Sequence, residues 1–134
     1  MKPIRLLLVD DEPAILRGLR MRLALESDVE VVGEAGDGVA ALEQVERLAP
    51  QVVLMDIEMP GLDGIATTSE LRSRSARAAV VMLSMHDDAA TVERSLAAGA
   101  TAFVSKQGID GALLEAIRRA AHGEGEGRCH DPRC

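Results

Sequence analysis

Aromatic side chains are almost missing from this chain: one Phe, no Trp and no Tyr. The core must therefore be assembled from Leu, Val, Ile, Ala and Met. A platform that stacks single-stranded bases is excluded, because such a surface needs aromatic faces. Cysteine is confined to Cys129 and Cys134 at the end of the chain. No disulfide framework holds the body, which agrees with a cytoplasmic origin. No stretch approaches the roughly 20 apolar residues of a membrane span. Met1-Lys2-Pro3-Ile4-Arg5 leads into an apolar run without signal-peptide character. Positive charge is in deficit: 15 Lys and Arg against 22 Asp and Glu leave a formal charge of -7. Such a surface repels a phosphate backbone, so this segment is not expected to bind DNA directly. It suits metal ions and basic partners instead.

What the chain does have is 134 residues, of which 47% are apolar, enough for one domain with an ordinary core. Residues 5–9, 29–34, 52–55, 79–83 and 102–104 are candidate strands, and the continuous Val and Leu runs among them read as buried on both faces. Between and after them, residues 13–25, 38–48, 64–73, 88–98 and 109–122 carry helical patterns. In the first helix Ile15, Leu16, Leu19 and Leu23 form the apolar stripe, Pro13 suits the first turn and Asp11 or Glu12 is expected to cap it. In the second the stripe is Val39, Leu42 and Val45, with Pro50 opposing continuation. Asp88 is placed to cap the fourth helix and Gly99 to stop it. Strict alternation of strand and helix predicts right-handed crossovers and a doubly wound α/β fold. Its sheet is expected to have five parallel strands in the order 2-1-3-4-5, as in flavodoxin-like domains. Residues 1–122 form the domain. Residues 123–134 are Gly-rich, charged and without periodicity, and read as a flexible tail or a shortened linker.

The strand ends carry the chemistry. Asp10 and Asp11 follow the first strand, Asp56 the third, Ser84 the fourth and Lys106 the fifth. Ligands of open α/β sheets bind just beyond the carboxyl ends of the strands, and the order 2-1-3-4-5 sets the ends of strands one and three side by side. Taken singly, Asp-Asp before a helix is a cap, an Asp before a turn is a turn former, and the serine and lysine are surface residues. Together they match one chemistry. Crowded carboxylates welcome a divalent cation, Asp56 can attack a phosphoryl group, Lys106 can pair with a phosphoryl oxygen and Ser84 can donate to another.

Several motifs point elsewhere. Gly33-Glu34-Ala35-Gly36-Asp37-Gly38 lacks the order of a dinucleotide loop and follows the second strand. Cys129, His130, Asp131 and Cys134 are ligand-type residues, but a tight set in a Gly-rich tail is not by itself a zinc site. An Asp-nucleophile phosphohydrolase of the haloacid-dehalogenase type would need a second acid where Glu12 stands, with the nucleophile on the first strand rather than the third.

Leu8-Val9-Asp10-Asp11-Glu12, the run from Leu54 to Gly64 (LMDIEMPGLDG), Met82-Leu83-Ser84-Met85-His86 and Gly99-Ala100-Thr101-Ala102-Phe103-Val104-Ser105-Lys106 together resemble the receiver domain of two-component response regulators. The resemblance covers roughly residues 3–122. It implies that Asp56 accepts a phosphoryl group from a sensor histidine kinase or a phosphotransfer protein. It also implies that Asp10, Asp11, Asp56 and the backbone carbonyl of Glu58 hold Mg²⁺, or Mn²⁺ in its place, and that Ser84 and Lys106 contact the phosphoryl group. Ser84 and Phe103 would form the switch, acting on the surface of the fourth helix, fifth strand and fifth helix, a face suited to a homodimer. The fourth-helix face of Thr91, Glu93 and Arg94, with Arg118-Arg119, could support charged pairing there. Pro13, Ala14 and Ile15 on the first helix would face the kinase. By the same resemblance Glu58 and His86 would flank the hydrolytic water and set phosphate lifetime. Phe103 lacks the hydroxyl of the Tyr often found there, and Gln107-Gly108 follows Lys106 where Pro is frequent. The Ser84 to Asp88 stretch and Gly99-Ala100 are most similar to receivers of LuxR-type transcription regulators, which carry a helix-turn-helix domain after a linker. The expected output is therefore transcription, through a domain this sequence does not contain. The sequence reads as a fragment of such a regulator, with a single-domain phosphorelay carrier or a phosphorylation-independent interaction module as alternatives. The resemblance implies a signalling phosphoacceptor that catalyses its own phosphorylation and dephosphorylation, not a turnover enzyme.

Overall fold

The computed structural model describes residues 2–106 and 111–123. The strands are β1 (Ile4–Val9), β2 (Val29–Ala35), β3 (Val52–Asp56), β4 (Ala79–Ser84) and β5 (Ala102–Ser105). The helices are α1 (Pro13–Leu23), α2 (Gly38–Leu48), α3 (Gly64–Ser73), α4 (Ala89–Ala97) and α5 (Gly111–Ala121). The strands form one sheet in the order β2-β1-β3-β4-β5, and every neighbouring pair is parallel. This is the expected doubly wound, flavodoxin-like arrangement. The proposed start of the fifth helix at Ile109, Gln107-Gly108 and the ligand-type residues Cys129, His130, Asp131 and Cys134 lie outside the described residues.

Successive strand side chains point to opposite faces, and this splits each apolar run between two cores. Leu6, Leu8, Leu54, Val81 and Leu83 pack with Leu16, Leu19 and Leu23 of α1 and with Leu113 and Ile117 of α5. Leu7, Val9, Val53, Met55, Val80 and Met82 pack with Ala41, Leu42 and Val45 of α2 and Leu71 of α3. Both faces are covered, which is why the runs are continuous rather than alternating. A register shift between Leu6 and Leu7 interrupts the pairing of β1 with β2.

Two local expectations change. α1 has Glu12 at its N-cap with no side-chain capping bond. Asp11 is exposed, and it is Asp10 Oδ1 that accepts from the Glu12 amide at 2.9 Å. In α2 the buried stripe is Gly38, Ala41, Leu42 and Val45, whereas Val39 is 58% exposed. At 3.6 residues per turn Val39 lies roughly a third of a turn from the centre of that stripe. Asp88 caps α4 as expected, accepting from the Thr91 amide at 3.1 Å, and Asp37 and Asp63 cap α2 and α3 in the same way, accepting from the Ala40 and Ala66 amides at 2.7 and 2.8 Å.

α3 begins against the backbone that follows β3. A Cβ on Gly64 would lie 2.2 Å from the Asp56 carbonyl oxygen and 2.8 Å from Ile57 Cα, both backbone atoms that cannot move aside cheaply. Gly64→Ala is therefore expected to cost about 1–3 kcal/mol, the usual range for overpacking. Urea unfolding checks this, and a variant within error of the parent would refute it.

α4 is held differently. It packs against β5 and α3, but its buried residues are Thr91 and Ser95, which bury little apolar area. Elements with few buried apolar contacts open and shift at low cost. Among the described residues no helix is long and apolar enough to cross a membrane.

Candidate functional site

The ends of β1 and β3 are adjacent because the strand order places them so, with Val9 opposite Met55. Asp10 follows the first and Asp56 closes the second, and each is 1% exposed. Asp11, next along, stays at the surface. One carboxylate oxygen from each of Asp10, Asp11 and Asp56 lies within 4.8 Å of the others. β5 delivers Lys106, whose Nζ is 2.9 Å from Asp56 Oδ1 and 3.3 Å from Asp10 Oδ2, with its side chain 11% exposed. Asp10, Asp11, Asp56 and Lys106 therefore meet at one edge of the sheet.

The electrostatics follow from this crowding. Burial pushes the Asp56 carboxyl up to about 6 against an ordinary 3.8, with the charges of Asp10 and Glu58 acting in the same direction and Lys106 opposing them. Burial alone would lower the Lys106 ammonium, but its hydrogen bond to Asp56 and the charges of Asp56 and Asp10 outweigh this and raise it. Lys106 is thus a fixed cation. Asp10 Oδ2 is buried and makes no hydrogen bond. Its compensating group is the Lys106 ammonium at 3.3 Å, and two further carboxylates crowd it. Oxygen donors in this number and charge are what a small hard divalent cation requires.

Ser84 sits at the end of β4, fully buried, but its hydroxyl is engaged elsewhere. It donates to Glu58 Oε2 at 2.6 Å and accepts from the His86 amide at 2.9 Å. Glu58 Oε1 accepts from the Met85 amide at 3.3 Å, and the Glu58 amide donates to Asp56 Oδ1 at 3.3 Å. The side-chain role of Glu58 toward Ser84 was not evident from the residues alone. The signal was there in the strand order, since β3 and β4 are neighbours and Asp56 pairs with Leu83. Phe103, on β5, is half-buried and packs at the margin of the α2 and α3 core. His86 is exposed.

The residues expected to support charged pairing on α4 and α5 divide. Glu93 and Arg94 are exposed. Thr91 is buried, with its hydroxyl donating to Asp88 Oδ1 at 2.8 Å. Arg118 binds within the chain, to Asp28 at 2.8 and 3.0 Å and to Glu26 at 2.8 Å, and Arg119 pairs with Glu115. A cleft of about 820 Å³, lined by Leu42, Val45, Gln51, Leu71 and Ala78, opens at the opposite edge of the sheet and includes no residue of the acidic site.

Fold and site define a small α/β signalling domain with an acidic cluster and a lysine at the carboxyl edge of a five-stranded parallel sheet. The model of the response regulator receiver domain matches residues 6–118, and the chain belongs to that family. It is 38% identical over 121 residues to the nitrate/nitrite response regulator protein NarP of Escherichia coli, covering 90% of this chain and 56% of that protein. The signal receiver domain of the response regulator NarL from Mycobacterium tuberculosis superposes with a TM-score of 0.88 at 35% identity, covering 92% of this chain and all of that one. A LuxR-family two-component response regulator from Aurantimonas has a TM-score of 0.88 at 30% identity, with coverage of 92% and 89%. The chain spans about half the length of the curated relatives it matches. It is thus a signalling domain related to LuxR-type and NarL-type transcription regulators rather than a metabolic enzyme.

Proposed function

We propose that Asp56 is the phosphoacceptor of a receiver that takes its phosphoryl group from the phosphohistidine of a sensor kinase or a phosphotransfer protein. The observation that carries this is the buried Asp56 carboxylate 2.9 Å from Lys106, with Asp10 and Asp11 beside it. Above a pH of about 6 Asp56 is mainly ionised and able to act as a nucleophile. Its carboxylate oxygen attacks phosphorus, the bond from phosphorus to the histidine nitrogen breaks, and the electron pair leaves with the imidazole. The product is an acyl phosphate on Asp56. Lys106 Nζ, already between Asp56 and Asp10, pairs with a phosphoryl oxygen, and the Ser84 hydroxyl donates to another.

The residues fit a divalent cation, Mg²⁺ in the first place and Mn²⁺ as a substitute. Asp10, Asp11 and Asp56 would hold it, with the Glu58 carbonyl as a further ligand. When bound, such an ion neutralises charge on the transferring group. The lightly packed α4 and the neighbouring Phe103 are the elements that respond, which makes the surface of α4, β5 and α5 the signalling face. It controls an output, which by relation to the transcription regulators is gene expression through a domain outside this sequence, and it accommodates a second copy. Glu26 and Asp28 already occupy Arg118, so pairing between copies would draw on Glu93 and Arg94.

Intact mass after incubation with Mg²⁺ and acetyl phosphate tests the reading. One phosphoryl adduct, mapped to Asp56 and lost when EDTA is present, is expected. An unmodified parent, or an adduct on another residue, would reject the assignment.

A further inference from the structure

Glu58 joins the two halves of the site. Its amide donates to Asp56 Oδ1, while its carboxylate accepts from the Ser84 hydroxyl at 2.6 Å and from the Met85 amide at 3.3 Å. The first of these is a short, charge-assisted bond, among the stronger kinds available to a neutral donor. The Ser84 oxygen in turn accepts from His86, so the first residues after β4 are tied to Glu58 through both side chain and backbone. A serine hydroxyl has a single proton to give. While Glu58 holds it, Ser84 cannot donate to a phosphoryl oxygen on Asp56.

We infer that Glu58 is a positioning residue that latches the Ser84 hydroxyl and the loop after β4 in the unphosphorylated state, and so opposes the switch. This rests on the reading of Asp56 as phosphoacceptor. Phosphorylation exchanges one charged acceptor for another at Ser84. The two acceptors are alike in kind, which keeps the exchange close to balance and lets one side chain set its position. The negative charge of Glu58 is already felt at Asp56, so a phosphoryl group arriving there also repels the carboxylate that must let go. Without the carboxylate, the Ser84 proton would be left unsatisfied in a fully buried side chain, and the open state would lose its advantage.

Beryllofluoride with Mg²⁺ serves as the probe, titrated into the parent, Glu58→Ala, Glu58→Gln and each change in a Ser84→Ala background. Glu58 is exposed, so its substitutions keep the fold, and Ser84→Ala deletes a single oxygen from a buried side chain without adding volume. Glu58→Ala is expected to bind about tenfold tighter, the scale of a hydrogen bond to a charged group. Glu58→Gln, which retains one acceptor oxygen, should gain less, and Ser84→Ala should erase the gain from either. Amide exchange gives an independent readout, with Met85 exchanging faster in Glu58→Ala than in the parent. No tightening in Glu58→Ala would overturn the latch. So would equal gains from Ala and Gln that persist without the Ser84 hydroxyl, since those would report only removal of charge. A parent that binds no beryllofluoride would overturn the phosphoacceptor reading instead. Met85 exchange would then decide the latch alone, faster in Glu58→Ala supporting it and unchanged overturning it.

Discussion

Asp56→Asn should abolish phosphoryl uptake and at the same time stabilise the metal-free domain. The first half follows from removing the nucleophile, because an amide oxygen does not form the acyl phosphate. The second half follows from the raised carboxyl. Folding moves Asp56 from an ordinary 3.8 to about 6, so between those values the folded state binds more protons than the unfolded one. Stability therefore falls as pH rises through this window, and the full cost is present above about pH 6. Roughly two pH units correspond to at most about 3 kcal/mol. That value already includes the opposing pull of Lys106, and because Asn copies the protonated acid imperfectly a net gain of about 1–2 kcal/mol is expected at neutral pH. Urea unfolding in EDTA at pH 7.5 and again near pH 4.5 separates the contributions. The advantage of the variant should be large at the higher pH and shrink at the lower. Mg²⁺ should reverse the order, since it stabilises only the chain that binds it well. A variant no more stable than the parent at pH 7.5 would mean that Asp56 is not strained by its burial.

The second large effect is expected at Lys106. Its ammonium is the cation that compensates the buried carboxylates of Asp56 and Asp10, at 2.9 and 3.3 Å. Lys106→Ala leaves both without it. Removing one partner of a buried pair typically costs about 3–5 kcal/mol. Partial protonation of Asp56 softens this below about pH 6, so the loss should be greatest above that pH and smaller beneath it. Mg²⁺ should restore much of the stability by supplying the missing positive charge. Phosphoryl uptake from acetyl phosphate should persist, because Asp56 is intact, but the change at the α4, β5 and α5 surface should not follow. Sedimentation of parent and variant with and without acetyl phosphate checks this. Equal phosphorylation-dependent association in both would show that Lys106 does not couple the site to that face. An undiminished stability in EDTA at pH 7.5 would show that the carboxylates do not depend on it.

Much of the molecule can be read along the chain. The apolar runs are short, continuous and separated by helical patterns, and only a parallel sheet covered on both faces buries every residue of such runs. A single topology then brings Asp10, Asp11, Asp56 and Lys106 to one edge, and those residues do meet there. Errors arose where a side chain had more than one available partner. Asp11 next to a helix start has the chemistry of a cap, yet the helix begins one residue too far on and Asp10 takes the Glu12 amide. Arg118 on a solvated helix face looks free for a partner molecule, yet Asp28, 90 residues away in sequence, binds it with two bonds.

Residue type and spacing were sufficient for the strand order, the two-sided core, the edge that carries the acidic cluster and the lysine that enters it. These depend on periodicity and on the sign of charge, which are properties of the chain itself. Which oxygen bonds to which donor depends on distances of a few tenths of an ångström between segments far apart in sequence. Folding alone decided that Asp56 is buried deeply enough to hold its proton to about pH 6. Only the packed β3 and β4 ends bring the Glu58 carboxylate to 2.6 Å from the Ser84 hydroxyl. A hydrogen bond is strong only within such short distances, so the partner of the Ser84 hydroxyl is a property of the folded molecule.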